Sequence, residues 1–308
     1  MAFGLFAPFV ALALARWRVG SFERLDERAF QSGRTLETSD GVLHYVERGA
    51  GEPLVLVHGL GASVFTFRRN LERLAQSFRV IAVDLVGFGG SSRAARDYSQ
   101  EAHARRLIEL MDALGIERAH LLGHSMGGAV VLRLAARWPE RVRRLVLVAP
   151  ASPDMMRTGA AVTSLLRPFF PLFGLLYHSR RFRRMTLRSA FHDPGQMTDE
   201  VLDGYWGPAR VRGHLEALSR LMADRRRDPP VDLRSVTVPT LILWGVSDTW
   251  LRPERGERVA RELPDARLVV LPDAGHLLPE ERPERFCALV EAFLAGRDIP
   301  GPEGEASR

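Results

Sequence analysis

The sequence predicts an α/β fold: a mostly parallel, doubly wound sheet, opened by an antiparallel hairpin and interrupted by a helical cap insertion. Three observations carry this expectation. Short apolar runs of strand length alternate with stretches of helical period, the pattern of strands buried on both faces and the helices that cover them. The first two strand candidates flank Ser39-Asp40-Gly41, and Asp-Gly between alternating runs is a strong hairpin signal. A long segment, about 151–236, then holds little strand signal, although the alternation resumes after it.

Composition narrows the field. With 308 residues, 46% hydrophobic and 26% charged, the chain can bury a large core, as one α/β domain with an insertion or as two small domains. All 43 basic residues are arginine. That removes lysine Schiff bases, a Ser-Lys dyad and a Walker phosphate loop, which all need the amine. The net charge of +6 is modest for this length. It permits attraction to anionic lipid or acidic ligands but does not mark a nucleic-acid binder, and no zinc-finger or RNA-recognition spacing occurs. The one cysteine, Cys287, excludes an intrachain disulfide and reads as buried filler on an amphipathic helix.

The elements follow in order. Residues 1–20 form an apolar N-terminal segment, in which Met1–Ala15 is followed by Arg16-Trp17-Arg18. As a helix, Met1–Ala15 would cover roughly 22 Å, short of the roughly 30 Å hydrocarbon core of a bilayer. Three arrangements compete: a helix on a membrane surface, a cleaved signal ending at Ala13-Leu14-Ala15, and an arm packed on the cap. Trp17 between two arginines suits a headgroup boundary, so membrane-surface contact through Met1–Arg18 is the expectation. The implied location is cytoplasmic or membrane-associated, with secretion as the consequence of cleavage. Residues 21–150 carry the first part of the core. Strands are expected at Arg34–Thr38, Val42–Glu47, Pro53–Val57, Arg79–Asp84, Ala119–His124 and Arg144–Val148. Helices are expected from about Phe67 to Gln76, over Gln100–Leu114 with Gly115 closing it, and over Ala129–Ala136. Residues 151–236 are the cap, left at Asp228-Pro229-Pro230. Its arginine cluster at Arg180, Arg181, Arg183 and Arg184 reads as a solvated helical face. Residues 237–296 complete the core with strands at Pro239–Trp244 and Arg267–Leu271 and a helix over Pro283–Leu294; 297–308 is expected to be a flexible tail.

The chain's chemistry centres on Gly123-His124-Ser125-Met126-Gly127-Gly128, between a strand and a helix. Glycines there allow a sharp turn that pushes the Ser125 hydroxyl out of the sheet, with the next amide at a helix N-terminus. Ser125 is a candidate nucleophile if a histidine and an acid can reach it. The plainer reading is a Gly/Ser turn entering a helix. Open α/β sheets bind ligands beyond the carboxyl ends of their strands. The loops at such ends bring His58-Gly59-Leu60-Gly61, Ser125, Asp248 in Gly245-Val246-Ser247-Asp248, and His276 in Pro272-Asp273-Ala274-Gly275-His276.

This series resembles the α/β-hydrolase superfamily. His58-Gly59, Asp84-x-x-Gly87-x-Gly89, Gly123-His124-Ser125-Met126-Gly127-Gly128, Trp244-Gly245-x-x-Asp248 and Gly275-His276 match its recurring signatures in order. Within it, the chain looks most like small capped carboxylesterases, monoacylglycerol-lipase-like enzymes and carbon–carbon bond hydrolases. The resemblance implies a catalytic set of Ser125, His276 as general base and Asp248 as its orienting acid. It also implies an oxyanion hole of the Leu60 and Met126 amides, with His58 and Gly59 supporting the turn. His124 is expected to brace rather than react, and Asp84 to end a structural turn. Asp154 is the one substitute for Asp248, and His192 and His214 lie in the cap without partner spacing. No metal-ligand spacing and no dinucleotide fingerprint are present, so neither a metal nor another cofactor is expected. A serine at 125, rather than the aspartate of an epoxide or haloalkane hydrolase, favours an acyl-enzyme. The expected activity is cleavage of a carboxylic ester with a hydrophobic acyl or alcohol group. Hydrolysis of a carbon–carbon bond in vinylogous diketones, a cofactor-free perhydrolase or haloperoxidase activity, and a ligand receptor that kept the fold stand as alternatives.

Overall fold

In a computed structural model, residues 3–151, 169–224 and 228–299 are described. Their strands form one eight-stranded sheet. In chain order these are β1 (Arg34–Thr38), β2 (Gly41–Arg48), β3 (Glu52–Val57), β4 (Phe78–Asp84), β5 (Ala119–His124), β6 (Val142–Val148), β7 (Thr240–Gly245) and β8 (Ala266–Leu271). Across the sheet the order is β1-β2-β4-β3-β5-β6-β7-β8. The β1/β2 and β2/β4 pairs are antiparallel and every other pair is parallel. The hairpin and the doubly wound sheet read from the apolar runs are therefore present.

Helices cover both faces because consecutive side chains of the buried strands point to opposite sides. Val55, Val57 and Leu121 join the core on one face, and Leu54, Leu56 and Leu122 that on the other. The N-terminal helix α1 spans Phe3–Phe22, α2 is a single turn at Leu71–Leu74, α3 spans Gln100–Ala113 and α4 Met126–Arg137. On the β6–β7 connection lie α5 (Phe170–Tyr177), α6 (Arg180–Arg188), α7 (Asp199–Trp206) and α8 (His214–Asp224). After β7 come α9 (Glu254–Glu262), α10 (Leu278–Glu281) and α11 (Pro283–Leu294). Helices α3 and α4 pack on the first face, and α11 on the second, with Phe286, Cys287, Leu289, Val290 and Phe293 fully or nearly buried.

The structure departs from the sequence reading in three places. The helix expected over Phe67–Gln76 is a 3-10 turn, Val64–Phe67, followed by α2. Tertiary partners hold the segment: the Val64 amide donates to the Asp84 carboxylate (2.7 Å), and the Asn70 side chain to the Pro279 carbonyl (3.1 Å). Helix α4 begins at Met126, three residues before its expected start, so two glycines sit in its first turn. Within the tail expected over 297–308, Ile299 is buried in the core on the α11 side, and residues 300–308 lie outside the described residues.

Helix α1 is longer than the apolar run suggested, and its far end is tied to the cap. Ala15 and Val19 are buried. Buried Glu23 accepts hydrogen bonds from the amides of Gly213 (3.0 Å) and Leu215 (2.8 Å), and its carboxylate lies 3.2 Å from His178 Nε2. Of the three arrangements proposed for this segment, packing on the cap is thus realised at its C-terminal end. Among the described residues no helix is long and apolar enough to cross a membrane.

Eight of the nine histidines are buried: 44, 58, 103, 120, 124, 178, 214 and 276. Burial disfavours the imidazolium and pushes His58, His103 and His214 below their ordinary value, and His124 down to about 3. An unfolded histidine ionises near pH 6.5, so below that point the unfolded chain takes up protons that these four folded sites refuse. Buried Asp228 and Glu281, whose carboxyls are raised by burial, act in the opposite sense but are fewer. Stability is therefore expected to be full above about pH 6.5 and to fall on acidification to about pH 5.5. Chemical denaturation midpoints across that range check this; a midpoint that holds or rises would contradict it.

Candidate active site

A single residue, Ser125, joins β5 to α4. It holds φ 52° and ψ −116°, a backbone state that residues with a Cβ rarely adopt. Hydrogen bonds keep it there. Its amide donates to the Val148 carbonyl (2.9 Å), and its carbonyl accepts from the amides of Gly128 (3.0 Å) and Ala151 (2.9 Å). The space around the turn is used up. A Cβ on Gly127 would stand 2.3 Å from the Val57 carbonyl oxygen, and one on Gly59 would stand 3.1 Å from the Ser125 Cβ. The glycines of this motif are thus explained by backbone approach, and they bring the β3 loop against the β5 turn.

The expected partner residues converge from two other strand ends. His276 Nδ1 lies 2.7 Å from Asp248 Oδ2, and both side chains are buried. The other carboxylate oxygen of Asp248 accepts the amides of Trp250 (2.9 Å) and Leu251 (2.8 Å). A carboxylate so held accepts from Nδ1–H, which assigns the proton to Nδ1 and leaves Nε2 as the basic nitrogen. The histidine loop is clamped from several sides. The His276 amide donates to the Ala190 carbonyl (2.7 Å), and its carbonyl accepts from His124 Nε2 (2.9 Å). Buried Glu281 accepts the Gly275 amide (2.9 Å) and the His192 amide (2.6 Å), tying the loop to the cap.

Ser125 and His276 line one cavity of about 230 Å³, together with Gly59, Leu60 and Met126. Arg183 and Leu187 of α6, Tyr205 of α7 and Trp250 complete its walls. Met126 opens α4, so its amide is one of the first-turn donors with no partner inside the helix. Leu60 follows a turn fixed by His58. The Leu85 amide donates to His58 Nε2 (3.0 Å), which leaves Nδ1–H to donate to the Gly59 carbonyl (2.7 Å). The arrangement can present an apolar ligand to a hydroxyl, an imidazole and two amides at once.

The other singled-out residues fall as follows. Asp84 accepts from the amides of Val64 and Gly90 (both 2.7 Å) and pairs with His44 (2.7 Å), which holds its glycine turn together. His124 braces His276 as expected, and it also borders the cavity, which was not expected. His214 pairs with the Tyr177 hydroxyl (2.9 Å), and His192 with the Ser247 hydroxyl (2.7 Å), one residue before Asp248. Asp154 lies outside the described residues. Among the described residues no group of three or more His, Cys, Asp or Glu side chains could hold a metal ion. Sequence reasoning missed Tyr205, Trp250 and Glu281, and it placed Arg183 on a solvated face, whereas Arg183 lines the cavity. Trp250 follows Asp248 closely enough to have been suspected, whereas the cap residues carry no local signal.

Comparison with known proteins bears on the fold family. The family model described as alpha/beta hydrolase fold matches residues 52–283. An uncharacterized hydrolase, YugF, of Bacillus subtilis is 31% identical over 262 residues, covering 83% of this chain and 96% of that protein. A 2-hydroxy-6-oxo-6-phenylhexa-2,4-dienoate hydrolase of Comamonas testosteroni is 30% identical over 272 residues, covering 85% and 94%. Among solved structures, a thermophilic esterase from Thermogutta terrifontis superposes with a TM-score of 0.72 at 26% identity, covering 86% of this chain and 99% of that one. With the family model matched over most of its length, the chain belongs to the alpha/beta hydrolase fold family.

Proposed function

We propose that the chain is a serine hydrolase that cleaves a carboxylic ester with a hydrophobic acyl or alcohol group through an acyl-enzyme. The observation that carries this reading is that His276, paired with Asp248, borders the same apolar cavity as a serine held on a strained strand-to-helix turn. In the proposed mechanism His276 Nε2 takes the Ser125 proton as Oγ attacks the ester carbonyl. Asp248 keeps the imidazole in that tautomer and stabilises its cationic form. The amides of Leu60 and Met126 donate to the oxyanion. His276 then protonates the departing alcohol and, in the second half, activates the water that releases the acid. His58 and Gly59 act through the turn that aims the Leu60 amide.

A second reading, hydrolysis of a carbon–carbon bond in an acidic diketone with the same three residues, is favoured by Arg183. This is a cation on the cavity wall whose buried Nε has no hydrogen-bond partner. A substrate carboxylate, such as the dienoate named for the Comamonas relative carries, would suit it. The two readings separate by assay: turnover of a ring-fission diketone far above that of any ester would favour the second.

We also propose that α1 meets a lipid surface, because Leu14 and Trp17 are 60% and 70% exposed on an otherwise apolar helix beside the exposed Arg18. On flotation with anionic liposomes the full chain is expected to rise with the lipid, and a Leu14→Glu/Trp17→Glu double variant to stay behind. Equal partitioning of the two would end this proposal.

For the chemistry, a fluorophosphonate probe is expected to label the wild type and not Ser125→Ala, which should lose at least about a thousandfold in turnover of p-nitrophenyl butyrate. Asp248→Asn should lose on the order of 10⁴ in kcat while remaining folded. Wild-type turnover in Ser125→Ala would refute the assignment.

A further inference from the structure

A second chamber, of about 330 Å³, adjoins the Ser125 cavity. The two share Leu60, Gly61, Arg183 and Trp250, so they meet at a neck formed by these residues. Phe170, Phe173 and Tyr177, at i, i+3 and i+7 of α5, form one wall, and Leu218 and Met222, at i and i+4 of α8, form another. Most polar groups nearby are engaged, although Arg183 Nε at the neck has no hydrogen-bond partner. The Tyr177 hydroxyl pairs with His214 (2.9 Å), Arg183 Nη2 donates to the Tyr205 carbonyl (3.0 Å), and the Arg183 guanidinium lies 4.6 Å from the Tyr177 ring centre. Beyond the neck, the chamber therefore offers chiefly apolar contact.

The chamber is half open to solvent, since Leu60, Phe173 and Trp250 on its wall are 39%, 41% and 41% exposed. It falls within the roughly 300–1,000 Å³ of small-molecule pockets, and its lining gives water few partners. The wall position is also set from behind. A Cβ on Gly174 would stand 2.8 Å from Val19 of α1 and 2.4 Å from Leu215 of α8, so α5 is wedged between them.

We infer that this chamber holds an aliphatic chain of the substrate, with the ester at Ser125 and the chain passing the neck toward α5. The preferred substrate class is then an ester with a medium or long alkyl group. The inference rests on the serine-hydrolase reading and adds the chain subsite to it. Each methylene buried there should be worth roughly fourfold in affinity.

The test fills the chamber. Met222 is half-buried, so Met222→Trp can be accommodated, and Leu218→Phe is the second variant. Wild type is expected to favour p-nitrophenyl laurate over the butyrate in kcat/KM. Each folded variant is expected to lower that laurate-to-butyrate ratio at least about tenfold. A binding arm separates this from the chemistry: calorimetric titration of Ser125→Ala with sodium laurate and with butyrate needs no turnover. Laurate is expected to bind more tightly, and Met222→Trp in that background to weaken laurate selectively. If the ratio and the laurate affinity both stay at wild-type levels in the folded variants, the chamber is not the chain site. If butyrate is not turned over at all, the laurate titration still decides this inference while the serine reading fails.

Discussion

The backbone at Ser125 adopts a left-handed state that costs on the order of 1–3 kcal/mol for a residue with a Cβ, and it is kept there by what surrounds it. The Val148 carbonyl takes its amide, and Gly128 and Ala151 take its carbonyl, so β6 and α4 together hold the turn. The β3 loop approaches so closely that a methyl group on Gly59 would press on the serine itself. Every other feature of the site is arranged around this turn. The hydroxyl leaves the sheet, the Met126 amide is left at a helix start, and the Leu60 turn lies alongside. A strained state persists only where its neighbours over-determine it, and here they come from three strands.

The histidine loop is held in a different way. No strained backbone is needed; instead His276 is bound on all sides by groups far apart in sequence. Its ring meets Asp248, its amide reaches Ala190 in the cap segment, and its carbonyl meets His124 of the β5 turn. Glu281 ties the preceding glycine to His192. The cap is therefore part of what positions the imidazole as well as a roof over the cavity. The same bonds explain why His124 is buried and neutral beside the serine: as a donor to a carbonyl it needs only one proton, and burial keeps the second away.

Helix α5 is the one element that joins the outermost part of the chain to the site. Its Gly174 receives Val19 of α1, and its Phe170, Phe173 and Tyr177 face the second chamber. The N-terminal helix, anchored through Glu23, sets where that wall stands. An apolar segment that looked separable in sequence is in this way structurally continuous with the ligand space. The chamber joins the Ser125 cavity at Leu60, Gly61, Arg183 and Trp250, so the proposed reaction centre and the proposed chain site share one wall.

How much could be read before any fold was known follows from the range of the interactions. Strand runs, the Asp40-Gly41 hairpin and the glycines around Ser125 are local signals, since burial on two faces, a turn type and a close backbone approach each restrict the residue in place. That the loops carrying Ser125, Asp248 and His276 would converge was legible because strand ends bring loops together in a known way. The start of α4 was misjudged because helix propensity penalises Gly127 and Gly128, while packing against the Val57 carbonyl requires a residue without a side chain. The broken helix after Phe67 and the buried Ile299 were missed for a related reason, since their partners, Asp84, Pro279 and the α11 face, lie elsewhere in the chain. The cavity positions of Arg183 and Tyr205 and the second chamber had no trace in the sequence. A cavity is empty space between elements, and its shape depends on how α5, α6, α7 and α8 pack, which no pattern along one segment encodes.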